Sequence, residues 1–326
     1  MDAMRNSTVK PNTPKFERHF LHPRYWPLWL AMGLLRLLAL LPHKVKLKLG
    51  SPLGNLLYWL APQRRKLAAA NIALSFPDWS AEKHHALLRA HFRSLGIGMM
   101  ELLIVWWGGY RREDDRKERA LVTFHNLDII KKLQAEGRGV IMLVPHFTHI
   151  DMTGLFLQLE LSYAPVYRPH DDPLMEYLIT KGRTVFRDGA PWVTPISKDA
   201  SRTMLKHLKR GGLLFYLPDQ RYRNPKQRVD ATFFGRPAPS NPATSKLAQL
   251  TGAAVVPVFT RRINDHYHVT CLPPVDNFPS GDDLADTERL HRLYEQEIRH
   301  NPAQYLWVHD RWNLSNEDIE RLSSQA

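Results

Sequence analysis

Only one cysteine, Cys271, occurs in 326 residues. No disulfide can close within the chain, and a thiolate zinc site is excluded, because both require more than one sulfur. A reducing compartment is the natural setting for such a chain. Acid is the scarcer charge: 32 Asp plus Glu face 45 Lys plus Arg, a formal balance of +13. A surplus of that size implies an anionic partner, whether nucleic acid, an acidic membrane face or an acidic protein, with a merely solvated basic surface as the alternative. The basic residues are scattered and no nucleic-acid motif appears, so nucleic acid is not expected as a partner. Repeats and low-complexity segments are absent too. With 44% hydrophobic and 24% charged residues the chain has the balance of a folded protein, which argues against a long disordered tract.

A charge-free apolar run of full bilayer length is also missing. The nearest approach is residues 25–41, closed by Pro42 and carrying Arg36 in its second half. As a helix it would be roughly 25 Å long at ~1.5 Å per residue, slightly short for a ~30 Å hydrocarbon core. Trp26 and Trp29 suit an interface, and no small-x-small site follows to mark a cleaved leader. The run is therefore expected to be an uncleaved, single N-terminal anchor (about 25–42) that spans or is deeply embedded, a buried core helix being the alternative. Lys15, Arg18 and Arg24 before it and Lys44, Lys46 and Lys48 after it leave the orientation unset by charge.

Three regions follow from the pattern: a loose stretch over 1–20, a helical membrane-associated region over 21–110, and a catalytic region over 111–326 forming one domain with the preceding helices. Ser80 fits an N-cap for a long helix whose Leu87, Leu88, Phe92, Leu95, Met99, Leu102 and Leu103 make one apolar stripe, ended by Trp106 and Trp107. Beyond residue 119 short β-rich runs (140–144, 164–167, 213–217, 255–259, 268–272) alternate with helical segments (126–136, 152–160, 173–183, 199–209, 242–250). That alternation predicts an α/β fold with a largely parallel central sheet and helices on both faces. Ligands in such folds sit at the carboxyl ends of the strands.

The run 140–144 is closed by Pro145, and His146-Phe-Thr-His-Ile-Asp151 follows at once. His146 thus falls at a strand's carboxyl end and Asp151 at the start of the next helix. If the carboxylate folds back, Asp151 orients the imidazole and the other ring nitrogen takes a proton from a hydroxyl. A positioned base is worth about 10²–10⁴ in rate. On spacing alone a structural loop pair stays open, as does a metal reading through His146, His149 and Asp151; no further ligand cluster follows, so a metal is not expected.

His-x4-Asp after a buried strand resembles the signature of the glycerolipid acyltransferase superfamily. Four further stretches make the chain similar to the late acyltransferases of lipid A biosynthesis: Leu21-His-Pro-Arg-Tyr-Trp26, Val166-Tyr-Arg-Pro-His-Asp-Asp-Pro-Leu174, Tyr216-Leu-Pro-Asp-Gln220 and Gln304-Tyr-Leu-Trp-Val-His-Asp-Arg-Trp312. The resemblance implies direct transfer of an acyl chain from acyl carrier protein to a hydroxyl of a lipid A precursor, with no cofactor and no covalent enzyme intermediate. It also implies a bacterial inner-membrane location with the catalytic region on the cytoplasmic side. Arg168 matches the family's Tyr-Arg-Pro arginine and becomes the first candidate for holding the oxyanion, ahead of backbone N–H groups of the helix after Asp151; a structural ion pair is the alternative. Asp219, Arg221, Arg223 and Arg183 are grouped as substrate-binding candidates. Within them Asp219 is expected to position the acceptor or an arginine rather than act as a base, and the cluster of Arg221, Arg223, Lys226 and Arg228 either to hold a lipid phosphate or to be an exposed loop. Two departures stand out: Asp151 replaces the glutamate many lauroyl transferases carry, and Gln220-Arg-Tyr-Arg-Asn224 lacks the glycine usual after this Asp. Acylation of another hydroxylated membrane lipid is the alternative activity, and a non-enzymatic basic membrane-surface binder the remote one.

Overall fold

The computed structural model describes residues 15–107, 116–187 and 190–324. Four helices come first: α1 (Trp26–Ala39), α2 (His43–Leu60), α3 (Pro62–Ser75) and the long α4 (Ala81–Trp107). The predicted cap is in place, with Ser80 Oγ accepting from the Lys83 backbone N–H at 3.4 Å. Helices α2 and α4 touch backbone to backbone. Gly54 allows it, since a Cβ there would lie 2.1 Å from the Phe92 carbonyl oxygen, a distance no packed side chain tolerates.

A short α5 (Arg116–Arg119) precedes the sheet region, which runs β1 (Val122–His125), α6 (Asp128–Ala135), β2 (Val140–Leu143), α7 (Ile150–Glu160), β3 (Ala164–Tyr167), α8 (Pro173–Arg183), β4 (Val185–Arg187), β5 (Ala190–Val193) and β6 (Ile196–Ser197). It continues with α9 (Ser201–Lys209), β7 (Leu213–Tyr216), β8 (Val229–Phe233), β9 (Arg236–Ser240), α10 (Ala243–Thr251), β10 (Ala254–Ile263), β11 (His266–Cys271), α11 (Asp283–His300) and α12 (Asn316–Ser323). Seven strands form one sheet in the order β1-β11-β10-β2-β7-β3-β6. From β10 to β6 all neighbours are parallel; β11 and β1 run the other way, because β10 and β11 form a hairpin. The fold is α/β with a mostly parallel sheet, and all five predicted strands take part in it.

The centre of the sheet is buried on both sides, as continuous apolar strands require. Along β2, Ile141 and Leu143 pack into the core shared with α9, α10 and α11, while Val140 and Met142 pack with α6 and α7. Period-two alternation therefore divides one strand between two cores.

The expected spanning anchor is corrected by the structure. Helix α1 has 14 residues, about 21 Å at ~1.5 Å per residue. The chain turns at Leu40–Pro42 and starts α2 at His43, and Lys46 of α2 reaches back to cap the Ala39 carbonyl at 2.9 Å. Among the described residues no helix is long and apolar enough to cross a membrane. What α1 does have is an exposed apolar side: Leu30, Leu34 and Leu37, with Leu40 just after it, are 62–80% accessible, while Met32 faces inward at 8%.

Candidate active site

Strands β2 and β7 are parallel neighbours, with Leu143 paired to Tyr216. Three residues beyond each of these lie His146 and Asp219. The equal offset brings the two side chains together at the carboxyl edge of the sheet. The His146 ring Nδ1 lies 2.6 Å from Asp219 Oδ1, and the His146 backbone N–H donates to Oδ2 at 2.9 Å. One carboxylate thus fixes both the ring and the main chain of the same residue. The loop is held from the other side as well. Leu306 N–H donates to the His146 carbonyl at 3.0 Å, and Thr148 N–H to the Gln304 carbonyl at 2.7 Å. Gly98 of α4 backs this turn so closely that a Cβ would come 2.1 Å from the Thr148 oxygen.

Asp219 is almost fully enclosed, at 1% accessibility. Burial alone would raise its carboxyl pKa. The opposing pull of the His146 charge, the two hydrogen bonds from His146 and the Arg311 charge holds it below the ordinary value. With Nδ1 engaged by an anion, the tautomer with Nδ1–H is favoured and Nε2 is left with its lone pair. His146 can then act as a base, and Asp219 stabilises the imidazolium that results.

The pair opens on a cavity of about 400 Å³. Its lining divides by chemistry. His146, Asp151, Arg168, Arg183, Lys198 and Arg221 supply polar groups, while Val105, Leu155, Val193 and Phe215 supply an apolar wall. Helix α7 contributes Asp151, Gly154, Leu155 and Gln158, the i, i+3, i+4, i+7 face of a helix. A pocket lined by both charged and apolar side chains suits a molecule with a polar head and a hydrocarbon tail.

The family model for bacterial lipid A biosynthesis acyltransferases matches residues 13–314. The chain belongs to that family. It is similar to the lipid A biosynthesis lauroyltransferase of Escherichia coli (strain K12), with 30% identity over 94% of this chain and 98% of that one. The palmitoleoyltransferase of the same organism is 32% identical, over 91% of this chain and 94% of its own. The myristoyltransferase there is 25% identical, covering 90% and 89%. The protein is an acyltransferase.

Among lipid A acyltransferase candidates of the chain, Asp151 takes a different place from the one expected of it. It lines the cavity but makes no hydrogen bond to His146; its Oδ1 accepts from Arg183 Nη2 at 3.3 Å. The carboxylate on the ring is Asp219. The reason is geometric: Asp151 sits in the first turn of α7 with its side chain toward α8, whereas Asp219 arrives on the neighbouring strand. Arg183, from the last turn of α8, is thereby brought into the site. Arg168 stands at the end of β3 on the cavity rim, 70% accessible and paired with Asp171 at 3.1 Å. Arg221 also lines the cavity, tied to Asp310 and Asn313. Arg223 is exposed and absent from the cavity lining, as are Lys226 and Arg228, so the basic cluster does not act as one group there.

His149 points away from the cavity. It is 1% accessible, its Nε2–H donates to the Thr260 carbonyl at 2.8 Å, and burial, with the Arg262 charge, pushes its pKa down to about 3. The His146–His149–Asp151 metal reading therefore has no geometric basis, and no group of three or more ligating side chains able to hold a metal occurs among the described residues. Beneath the loop lies a buried strut: Arg262 pairs with Glu101 at 2.6 Å and donates to Ser94 Oγ at 2.7 Å, and Ser94 Oγ meets Thr148 Oγ1 at 2.7 Å. Breaking a pair enclosed to this degree costs on the order of 3–5 kcal/mol.

Three contributors carried no assigned role in the sequence reading. Arg311, 2% accessible, donates to the Pro239 carbonyl and Ser240 Oγ at 2.9 and 2.7 Å, and its charge acts on Asp219. His309 accepts the Arg221 backbone N–H at 3.2 Å, with burial and then the His146 charge driving its pKa to about 4. Lys198 adds a cation to the lining, paired with Asp199 at 2.7 Å. Arg311 and His309 both fall in the stretch 304–312, where residue type alone marks neither of them for the site.

Proposed function

We propose that the chain transfers a fatty acyl group from an acyl carrier protein thioester to a hydroxyl of a lipid A precursor, with His146 as general base. The observation that carries this reading is the His146–Asp219 pair, whose histidine lines a cavity with both charged and apolar side chains in its wall. The hydroxyl gives its proton to Nε2 as its oxygen forms a bond to the thioester carbon. The carbonyl π electrons move onto oxygen, and when the carbonyl re-forms, the C–S bond breaks. The departing sulfur takes the proton back from the imidazolium. Asp219 holds the ring and opposes its positive charge throughout.

The oxyanion of the intermediate needs a positive neighbour. Arg168, Lys198 and Arg183 all line the cavity, and Arg168 is the first choice because its guanidinium stands at the rim with only an exposed aspartate as partner. Asp151 then positions Arg183, and Arg221 contributes to holding the acceptor's head group.

Membrane contact fits a surface mode. The exposed leucines of α1, and Trp59 and Leu60 at the end of α2 at 65% and 68% accessibility, are apolar surface, and exposed Lys44 and Lys48 add positive charge near the start of α2. That combination suits an apolar face lying in an anionic bilayer surface. The decisive assay supplies purified protein with an acyl carrier protein thioester and lipid A precursor and reads the product by mass. The precursor gains one acyl chain with the unaltered protein, and His146→Ala abolishes the gain. Full turnover by that variant would remove the mechanism.

A further inference from the structure

Gln158 is out of keeping with its surroundings. It lies on α7 two turns beyond Asp151, about 10 Å along the helix axis, on the same face and in the same cavity lining. It is 4% accessible. It shares that lining with the apolar side chains Val105, Leu155, Val193 and Phe215. The other polar groups nearby are already used. The Tyr163 hydroxyl donates to the Gly154 carbonyl at 2.7 Å, and the Trp192 indole N–H donates to the Gln158 backbone carbonyl at 2.7 Å. The Gln158 side-chain amide has no hydrogen-bond partner among the described residues. Neither atom of that amide is among the fully buried, unpaired side-chain atoms, so the amide is open to the cavity, and a bound chain that covers it without bonding it leaves it unpaired at a cost.

We propose that Gln158 is a specificity-determining residue that selects an acyl chain carrying a hydroxyl part-way along its length. This rests on the acyltransfer reading above and narrows its substrate. An amide offers one acceptor and two donors, and a hydroxyl both gives and takes a hydrogen bond, so the two satisfy each other fully. A plain methylene chain fills the apolar walls but leaves the amide unpaired. Gly154, one turn before it, leaves room for the Tyr163 hydroxyl, which a Cβ there would meet at 3.1 Å. Sites built to bond a substrate hydroxyl reject the analogue lacking it far more strongly than apolar pockets reject an extra one.

The test is a competition. Equimolar acyl carrier protein thioesters of one chain length, one plain and the others hydroxylated at successive carbons, are offered together to the unaltered protein and to Gln158→Leu. The product ratio is read by mass spectrometry. The unaltered protein favours one hydroxylated chain by roughly tenfold or more, the ratio expected for one satisfied amide, and Gln158→Leu reverses the preference toward the plain chain. Equal use of all chains by the unaltered protein, or a ratio that Gln158→Leu leaves unchanged, overturns the assignment. The ratio in the unaltered protein stands even if the variant does not fold. Transfer from no thioester at all is a different outcome: it sinks the acyltransfer reading itself, and this assignment with it.

Discussion

Replacing Asp219 by Asn is the change from which the structure draws the sharpest expectation. The carboxylate accepts two hydrogen bonds from one residue, at Oδ1 from the ring and at Oδ2 from the backbone N–H of His146. Asparagine has one acceptor oxygen and one NH₂ group, so one of these two donors must face another donor. Leaving a buried donor unpaired costs about 1–3 kcal/mol. The variant also removes the negative charge opposite the imidazolium, at a position only 1% accessible. If the NH₂ group faces the ring, the Nδ1–H tautomer is lost as well, and Nε2 carries the proton instead of the lone pair. Together these remove most of what a positioned base supplies, so kcat should fall by about 10³ with a much smaller change in KM. Steady-state kinetics with thioester and lipid acceptor both varied measures this, alongside circular dichroism to confirm folding. A folded Asp219→Asn protein within tenfold of normal kcat would refute the reasoning.

Two other expectations follow from particular contacts. Asp151 and Arg183 share one ion pair at 3.3 Å, so Asp151→Asn and Arg183→Gln should lower activity by similar factors and the double variant by little more than either. A double-mutant cycle should show a coupling above about 0.5 kcal/mol, and strict additivity would separate the two residues. Stability should fall in mild acid. His91, His149 and His291 are all buried, with pKa values pushed by burial from 6.5 to about 4, 3 and 3. Because the folded values lie below the unfolded one, the unfolded chain takes up protons first. Their stabilisation is complete above pH 6.5 and is lost as pH falls from there toward 3–4, by about 1–2 kcal/mol per histidine between pH 7 and 5. Urea unfolding at the two pH values checks this. A His149→Gln variant should show a shallower slope, and an unchanged stability at pH 5 would contradict the account.

Much of the fold was legible because the signals were local. The buried runs at β2 and β7 announce themselves by composition, and Ser80 marks its helix by residue type. His146 could be placed at a strand end for the same reason. Its partner could not, because that contact depends on the parallel register of β2 and β7, which pairs residues 73 positions apart. Asp151 was the nearest acid in sequence, and nearness in sequence carries no information about which strand lies alongside. The apolar run from residue 25 misled in another way. Its composition suits a bilayer and Pro42 closes it as expected, but α1 is too short to span, and it leaves an apolar side exposed. Arg311 was hidden by its neighbours: in the polar run His309-Asp310-Arg311 nothing distinguishes a cation enclosed behind the site from one on the surface. The short hairpins β4–β5 and β8–β9 lie outside the main sheet and lack the long apolar runs that reveal central strands.

The proton on His146 is the most direct point of test. With ring nitrogens labelled by ¹⁵N, nuclear magnetic resonance of the resting protein should show the neutral ring protonated at Nδ1, and Asp219→Asn should abolish or reverse that preference. A ring protonated at Nε2 in the unaltered protein, or a tautomer that ignores the Asp219 substitution, would contradict the claim that this carboxylate prepares His146 to act as a base.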